Sequence, residues 1–450
     1  MNKNDRMSMM AELPVHEVLL KMSLPMMISF FIQAMYNIVD SMFVARISEN
    51  ALTAVSLAFP MQQIVTAIAV GTATGVSAVW SRYMGMGKKK EASETIRTMT
   101  AMSLGFTVIF IVLGLFASKP LFQMQTNVLE IAEMGTTYLM INWALSCGSI
   151  FGKYYERLLV SAGRATLSMA AMASGAVFNL IFDPLLIFGY GPFPELGIAG
   201  AAYATVGGQI FAALVAIRLN QKYNEPVKND MLRPAFHPAA AAAIFRVGLP
   251  SIITMGLSSL TSFFINQILL TFSTTATAVY GVWMKLQNFC YMPTFGLNNG
   301  MVPILSYNYG VKRLDRVKQT MKLAIFGSVA LMWLLLIVFE LIPGTVLTMF
   351  SAGEQMREIG MACLRACVLS LPFGAVSMIL STSMQALDHS RFAMLINLLR
   401  QCVLLIACFA LIATLTHSQT LIWFAVPITE VVTFAVSVAL NRKLHSDLKL

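Results

Sequence analysis

The chain has 450 residues, of which 57% are hydrophobic and only 12% are charged, and its mean hydropathy is +0.71. This composition is typical of a polytopic membrane protein and excludes a soluble globular domain. The net charge of +10 does not predict a nucleic-acid-binding surface, because the basic residues fall in the connections between apolar runs and form no basic face interleaved with aromatic residues.

Apolar runs bounded by loop signals predict twelve membrane-spanning helices, since about 20 residues are needed for each crossing. In chain order they are predicted at 16–44, 51–80, 92–118, 130–151, 157–189, 197–220, 241–270, 276–305, 316–342, 357–382, 390–414 and 420–441. The first twenty residues are too polar for a cleaved signal peptide, so the first helix is expected to stay in the protein. We therefore predict an all-α integral membrane protein.

The connections that follow the even-numbered helices hold most of the basic residues. They are Arg82, Lys88, Lys89, Lys90, Lys153, Arg157, Arg164, Arg218, Lys222, Lys228, Arg233, Lys312, Arg313, Arg316, Lys318, Arg391 and Arg400. The opposite connections hold little beyond Arg46, Lys119 and Arg357. By the positive-inside rule, both termini are predicted to face the cytoplasm, with the protein in the cytoplasmic (inner) membrane.

The two halves of the chain are related by sequence. A shift of 225 residues without a gap places SLPMMIS (23–29) on GLPSIIT (248–254). The same shift pairs Pro25 with Pro250, Ser48 with Ser273, Ala51 with Ala276, Gln62 with Gln287, Gly71 with Gly296, Gly75 with Gly300, and Gly85 with Gly310. One offset that aligns so many Gly and Pro positions indicates a duplication.

Six helices in each repeat is an even number, so the repeats run parallel. We predict an amino-terminal lobe (1–220), a cytoplasmic linker (221–240) and a carboxyl-terminal lobe (241–450), related by a pseudo-twofold axis along the membrane normal. Such lobes enclose a central cleft, which opens to one face at a time.

Carboxylates within apolar helices are the main candidates for a functional site. Asp183 lies in the fifth predicted helix, and Asn179 precedes it by one turn on the same helical face. Asp40 lies in the first helix, one turn after Tyr36 and Asn37. Because a charge in the hydrocarbon region is costly, these acids predict a cation-responsive site inside a transporter. The alternative for Asp183 is a salt bridge to a base elsewhere in the fold.

The twelfth helix carries a further acid, Glu430. It is expected either to bind a cationic substrate or to face an outer funnel, and Lys285 and Arg365 either pair with it or snorkel. The five histidines are dispersed, which argues against an integral-membrane enzyme, and no catalytic residue is predicted. Cys363 and Cys367 share a helix face, but no histidine accompanies them, so neither a metal site nor a cofactor is expected there.

Several stretches of the chain resemble one transporter family. NIVDSMFVARISENALTAVS, RYMGMGKKKEA, SAGRATLS and FNLIFDPLLIFGYGPFPELGIAGAAYAT stand in the order and spacing of the multidrug and toxic compound extrusion (MATE) transporters of the DinF-like bacterial branch. The resemblance spans nearly the whole chain. It implies a secondary active antiporter, acting as a monomer in lipid, that exports organic cations and amphipathic drugs in exchange for H⁺ or Na⁺ by alternating access.

The resemblance also implies the site residues. Its cation-coupling site falls on Asp40, Asn179, Asp183 and Thr205, which would also be the metal ligands if the ion is Na⁺. Tyr36 and Asn37 lie near it as candidate substrate-binding residues, together with Glu430, which is the repeat counterpart of Thr205. The seventh helix has no carboxylate, so the resemblance does not imply a NorM-like cation site in the second lobe. A lipid-linked oligosaccharide flippase of the same superfamily is the alternative function, and it would favour a cleft rich in Arg and Lys.

Overall fold

In the computed structural model, which describes residues 9–126, 128–348 and 354–448, all regular secondary structure is helical. The predicted twelve-helix, two-lobe architecture is confirmed. The helices are α1 (Val15–Ala45), α2 (Glu49–Gly85), α3 (Lys89–Gln125), α4 (Leu129–Ala144 and Cys147–Ser161), α5 (Ala165–Phe188), α6 (Gly197–Tyr223), α7 (Pro238–Leu270), α8 (Thr274–Gly310), α9 (Leu314–Leu341), α10 (Glu354–Val368 and Leu371–Ala386), α11 (Ser390–Leu398, a π segment Leu399–Val403, and Leu404–Thr416) and α12 (a 3-10 turn Leu421–Phe424, then Ala425–Leu448).

Single helical elements also precede α1 (Met9–Glu12) and follow α9 (Pro343–Thr348). Within the described ranges, nine of the helices are long and apolar enough to cross a membrane, and the bent α10 makes a tenth. The two ends of the chain, 1–8 and 449–450, for which a cytoplasmic position is predicted, lie outside the described residues.

The predicted boundary between the fourth and fifth helices is wrong. A loop was expected at 152–156, but α4 pauses only at Leu145 and Ser146 and then continues to Ser161. Lys153 and Glu156 form an ion pair at 3.3 Å within this second segment. Polar residues do not interrupt the helix here, because other side chains satisfy them.

Two basic residues that were counted with the connections lie inside helices and are paired there. Arg157 belongs to α4 and donates to the Thr74 hydroxyl at 3.1 Å and to the Asn299 carbonyl oxygen at 3.4 Å. Arg400 belongs to the π segment of α11, and only 9% of it is exposed. Neither residue bears on the positive-inside rule, since each has partners inside the protein.

The duplication extends to the hydrogen bonds that begin the second helix of each repeat. The Ser48 hydroxyl accepts a hydrogen bond from the Ala51 backbone N–H at 3.0 Å, and the Ser273 hydroxyl accepts one from the Ala276 N–H at 3.0 Å. Both serines have extended backbones, with φ of −169° and −167°. Such an N-cap stabilises a helix by about 1 kcal/mol. The repeated serine therefore marks the same helix start in both lobes.

The lobes contact each other where α2 crosses α7 and α1 crosses α8. At the first crossing, a Cβ atom on Gly248 would lie 2.5 Å from the Gly71 carbonyl oxygen. At the second, a Cβ atom on Gly300 would lie 2.8 Å from the Ser23 backbone nitrogen. The helices therefore touch backbone to backbone, which only glycine permits. The two crossings are repeat-related, as the pseudo-twofold axis requires.

These contacts all lie toward one side of the molecule, the side on which α2, α4, α6, α8 and α10 end, here called the basic face. There Gly85 of α2 meets Gly310 of α8. An ion pair also joins the lobes, with Arg82 Nη1 and Asp388 Oδ2 separated by 2.8 Å. The structure is therefore closed at the basic face.

The connection between the lobes packs on the amino lobe. The hydroxyl groups of Thr100 and Tyr155 both donate to the Met231 carbonyl oxygen at 2.8 Å, and the His237 backbone N–H donates to the Thr98 hydroxyl at 3.2 Å. The predicted limits of the linker and the lobes stay predictions.

Asp388 has a strained backbone, which yields the first prediction. Its φ is +69°, and its repeat counterpart is Gly163, with φ of +74°. A left-handed conformation costs an L-residue about 1–2 kcal/mol. We expect Asp388→Gly to relieve that strain and, by removing the partner of Arg82, to weaken closure of the basic face. Losing an ion pair of about 1 kcal/mol would shift the population roughly fivefold toward the open state.

The measurement is the distance between spin labels at positions 88 and 312, which lie on opposite lobes at the basic face. We expect a longer distance in Asp388→Gly with unchanged or higher thermal stability. Arg82→Ala should open the face equally, and the double variant should open it no further, because both changes remove one contact. An unchanged distance in Asp388→Gly would show that the ion pair does not hold the lobes together.

Candidate cation-exchange site

One face of α5 carries the polar residues of the site. Gly175, Asn179 and Asp183 follow each other at four-residue spacing and are all buried. Gly175 lies against Gly208 of α6, where a Cβ atom on Gly175 would stand 2.6 Å from the Gly208 carbonyl oxygen. This close crossing fixes α5 against α6, and the same helix also packs on α1.

Asp183 is completely buried. One of its oxygens, Oδ1, accepts a hydrogen bond from Asn179 Nδ2 at 3.3 Å. The other, Oδ2, has no hydrogen-bond partner among the described residues. No basic side chain in the described part of the chain forms an ion pair with this carboxyl group.

The carboxyl groups of Asp40 and Asp183 face each other, close enough to share a hydrogen bond. Asp40 Oδ1 is buried and, within the described residues, has no hydrogen-bond donor either. Two carboxylates side by side in a buried site cannot both stay charged without compensation. Either a proton shared between them or a bound cation supplies it.

A third buried oxygen without a hydrogen-bond partner, Thr205 Oγ1, lies on α6. Thr205 and Asp40 both line the cavity described below. Carboxylate and hydroxyl oxygens are hard donors of the kind that a small monovalent cation takes. The residues present therefore fit a shared proton, and they also fit part of the coordination shell of Na⁺.

Beside the acid pair lies a cavity of about 430 Å³ within the amino lobe, with Asp40 in its lining. Helices α1, α2, α4, α5 and α6 form its walls, and the predicted site residues among its lining are Tyr36, Asn37, Asp40, Asn179 and Thr205. The structure thus brings five predicted residues to one cavity, with Asp183 behind its wall against Asp40. Glu430 lies in the other lobe.

Sequence reasoning missed several residues of this cavity. Gln62 and Tyr138 line it, and the Tyr138 hydroxyl lies beside both Gln62 and Thr205. The repeat had singled out Gln62 through its match with Gln287, but no role was assigned to it. Tyr138 gave no signal, because its helix looked like an ordinary apolar span. The Lys153–Glu156 ion pair also lines the cavity.

Glu430 is paired with a base that the sequence did not suggest. Arg400 Nε donates to both carboxylate oxygens, at 2.8 and 2.9 Å. Lys285 and Arg365 are exposed and are not its partners. The charge of Glu430 is therefore already balanced within the protein. Contact of Glu430 with substrate stays a prediction.

Comparison with known proteins identifies the family of the chain. A family model described as MatE matches residues 25–185 and again 250–411, so the two matches begin 225 residues apart. The chain belongs to the MatE family. The resemblance to MATE transporters inferred from the sequence is thereby confirmed, and the family places the chain among transporters.

Relatives of this MATE protein match over nearly its full length. A FAD transporter of Shewanella oneidensis is 27% identical over 93% of this chain and 92% of its own length. The multidrug export protein MepA of Staphylococcus haemolyticus is 24% identical over 91% of this chain and 90% of its own length. An outward-facing multidrug resistance MATE transporter of the MOP superfamily superposes with a TM-score of 0.89 at 22% identity, covering 98% of each chain. At 22% identity, the similarity to this solved structure shows the fold alone.

Proposed function

We propose that this MATE protein is a secondary active antiporter, which exports organic cations and amphipathic drugs in exchange for H⁺ or Na⁺ at the Asp40–Asp183 pair. The observation that carries the proposal is the pair itself: two buried carboxyl groups face each other beside a cavity, and an oxygen of each has no hydrogen-bond donor among the described residues. The drug-exporting relatives support the substrate class.

Exchange follows if drug and ion favour different states of the amino lobe. When the acid pair is charged, Asp40 attracts a cation to the cavity, where the rings of Tyr36 and Tyr138 offer aromatic faces. When the pair is neutralised, that attraction is lost and the helices around Asp183 repack. Two ligands with opposite preferences for the states of one bistable element exchange across the membrane.

We propose H⁺ as the coupling ion. Asn179 donates its amide N–H to Asp183 Oδ1, so one oxygen of the pair already has a hydrogen-bond donor. At this site, three buried oxygens have no hydrogen-bond partner within the described part of the chain, on Asp40, Asp183 and Thr205. A shared proton needs only two facing carboxyl oxygens, whereas a monovalent metal ion would need more ligands than these three. We further propose that the basic face is cytoplasmic and that the membrane is the cytoplasmic membrane, so the state seen here opens outward.

The test is ethidium efflux from vesicles in which ΔpH and the Na⁺ gradient are imposed separately. We expect ΔpH alone to drive efflux and the Na⁺ gradient to add little. Na⁺-driven efflux that persists after ΔpH is collapsed would replace H⁺ by Na⁺ in the proposal. Efflux that responds to neither gradient would contradict antiport altogether.

A second candidate substrate class is a flavin nucleotide, because one full-length relative is named as a FAD transporter. The same vesicles decide between the two substrate classes. A nucleotide exporter should transport FAD, and added ethidium should not slow that FAD transport. The flippase alternative favours a basic cleft, whereas the lysine lining this cavity, Lys153, is paired with Glu156.

A further inference from the structure

The carboxyl lobe contains a smaller cavity of about 60 Å³, formed by α7, α8, α11 and α12. Most of its lining residues are repeat counterparts, 225 residues on, of residues that line the amino-lobe cavity. They pair Gln33 with Ser258, Tyr36 with Thr261, Asn37 with Ser262, Gln62 with Gln287, Gly175 with Arg400, and Thr205 with Glu430. The two cavities are therefore repeat counterparts, one in each lobe.

The two pockets differ most at the position of Gly175 and Arg400. Gly175 has no side chain, and the amino-lobe pocket is roomy, whereas the Arg400 side chain projects among the walls of the carboxyl-lobe pocket. The acids differ too, since the repeat counterparts of Asp40 and Asp183 are Ile265 and Cys408. Among the residues that line the smaller pocket, Glu430 is the acid, and Arg400 neutralises it.

Four helices hold the Arg400 guanidinium in place. Its Nε donates to both oxygens of Glu430, and its Cζ lies 5.4 Å from the centre of the Tyr291 ring. Gly374 of α10 packs directly against the ion pair, because a Cβ atom there would lie 3.1 Å from Arg400 Nη2 and 3.1 Å from Glu430 Cδ. The π segment Leu399–Val403 carries Arg400, and such segments are frequent at functional sites.

We propose that Arg400 is a tethered cation, which permanently occupies the carboxyl-lobe counterpart of the cation-exchange pocket. A buried carboxylate must be paired or lose its charge, and here the partner is covalently part of the chain. The carboxyl lobe then binds no coupling ion, and ion exchange is confined to the amino lobe. Without Arg400, the pocket becomes a site for a small organic cation of the guanidinium class, held by Glu430.

The experiment uses Arg400→Gly, which copies Gly175 at the matching position, and millimolar methylguanidinium as the probe. Thermal unfolding of the purified full-length protein is measured with and without the probe, with KCl as the ionic-strength control. We expect the variant to melt several degrees below wild type and methylguanidinium to restore much of that loss. Wild type should not respond, because Arg400 already fills the site.

Two further variants make the result specific. Arg400→Gly combined with Glu430→Gln should not respond to methylguanidinium, since no charge is left to bind it, and Arg400→Lys should stay closer to wild type. An Arg400→Gly protein that ignores the probe, or a double variant that responds equally, would overturn the proposal. If Arg400→Gly yields no folded protein, recovery of folding in the double variant supports the proposal, and failure to recover contradicts it.

This measurement reports stability and binding in the carboxyl lobe, not transport. Its outcome is therefore separate from that of the proposed exchange at Asp40 and Asp183, which lie in the other lobe. A failed Arg400 experiment would leave the antiport proposal intact, and a failed efflux experiment would leave the tethered cation intact.

Discussion

Asp183→Asn is expected to abolish ion-driven efflux of organic cations while the protein stays folded and inserted. Asparagine has nearly the shape of aspartate and can keep a hydrogen bond with Asn179, but it neither carries a charge nor exchanges a proton at neutral pH. The substitution removes a costly buried charge and leaves packing intact. Without that charge the ion no longer favours one state over the other, so the driven rate should fall to the rate measured without an ion gradient.

The measurement is the initial rate of ethidium efflux under an imposed ΔpH, with folding checked by thermal unfolding. Asp40→Asn should give the same loss, because the carboxyl groups act as a pair. Glu91→Gln is the matched control: it makes the same acid-to-amide change at an exposed ion pair with Lys88, and it should transport like wild type. Efflux by Asp183→Asn at the wild-type rate would remove Asp183 from the mechanism. Loss of folded protein in both Asp variants would make the pair structural.

Gly75→Val is expected to prevent closure of the basic face. A Cβ atom at Gly75 would overlap the Ile244 carbonyl oxygen and would lie 3.2 Å from the Gly248 backbone nitrogen. Backbone atoms cannot move aside as the end of a flexible side chain can, so the lobes must separate. Overpacking of this kind costs about 1–3 kcal/mol, and 3 kcal/mol would shift the conformational ratio roughly 100-fold toward the state open at this face.

Gly105→Val in α3 is the control for this prediction, because a Cβ atom at Gly105 meets no atom within 4 Å. It should behave as wild type. For Gly75→Val we expect a longer distance between labels at positions 88 and 312, and loss of transport without loss of folding, since contacts within each lobe are unchanged. Wild-type distances and rates in Gly75→Val would show that the lobes do not need this backbone contact.

The architecture could be predicted from the sequence because the residues that fix it repeat. Gly75 and Gly300 occupy matching lobe contacts, and Ser48 and Ser273 cap matching helices. These effects are local or depend on a single close approach, so they leave a regular pattern in the chain. Apolar runs of sufficient length supplied the remaining helices.

The site could be predicted only in part. The cost of burying a charge singles out Asp183 in a sequence, but its position against Asp40 depends on how α1 packs on α5. Arg157 and Arg400 looked like loop charges, because their partners, Thr74 and Glu430, are remote in sequence. Long-range pairing of this kind leaves no local signal, and the π segment that places Arg400 leaves none either.

Proton movement driven by a drug gradient tests the exchange site most directly. Vesicles are loaded with ethidium and placed in ethidium-free buffer without any ion gradient, and the internal pH is recorded. Because coupling is reciprocal, outward movement of drug through the wild-type protein should drive protons inward and acidify the lumen. Asp183→Asn vesicles should show no acidification beyond that of protein-free vesicles. Acidification by Asp183→Asn equal to that of wild type, at equal drug movement, would contradict exchange at the Asp40–Asp183 pair.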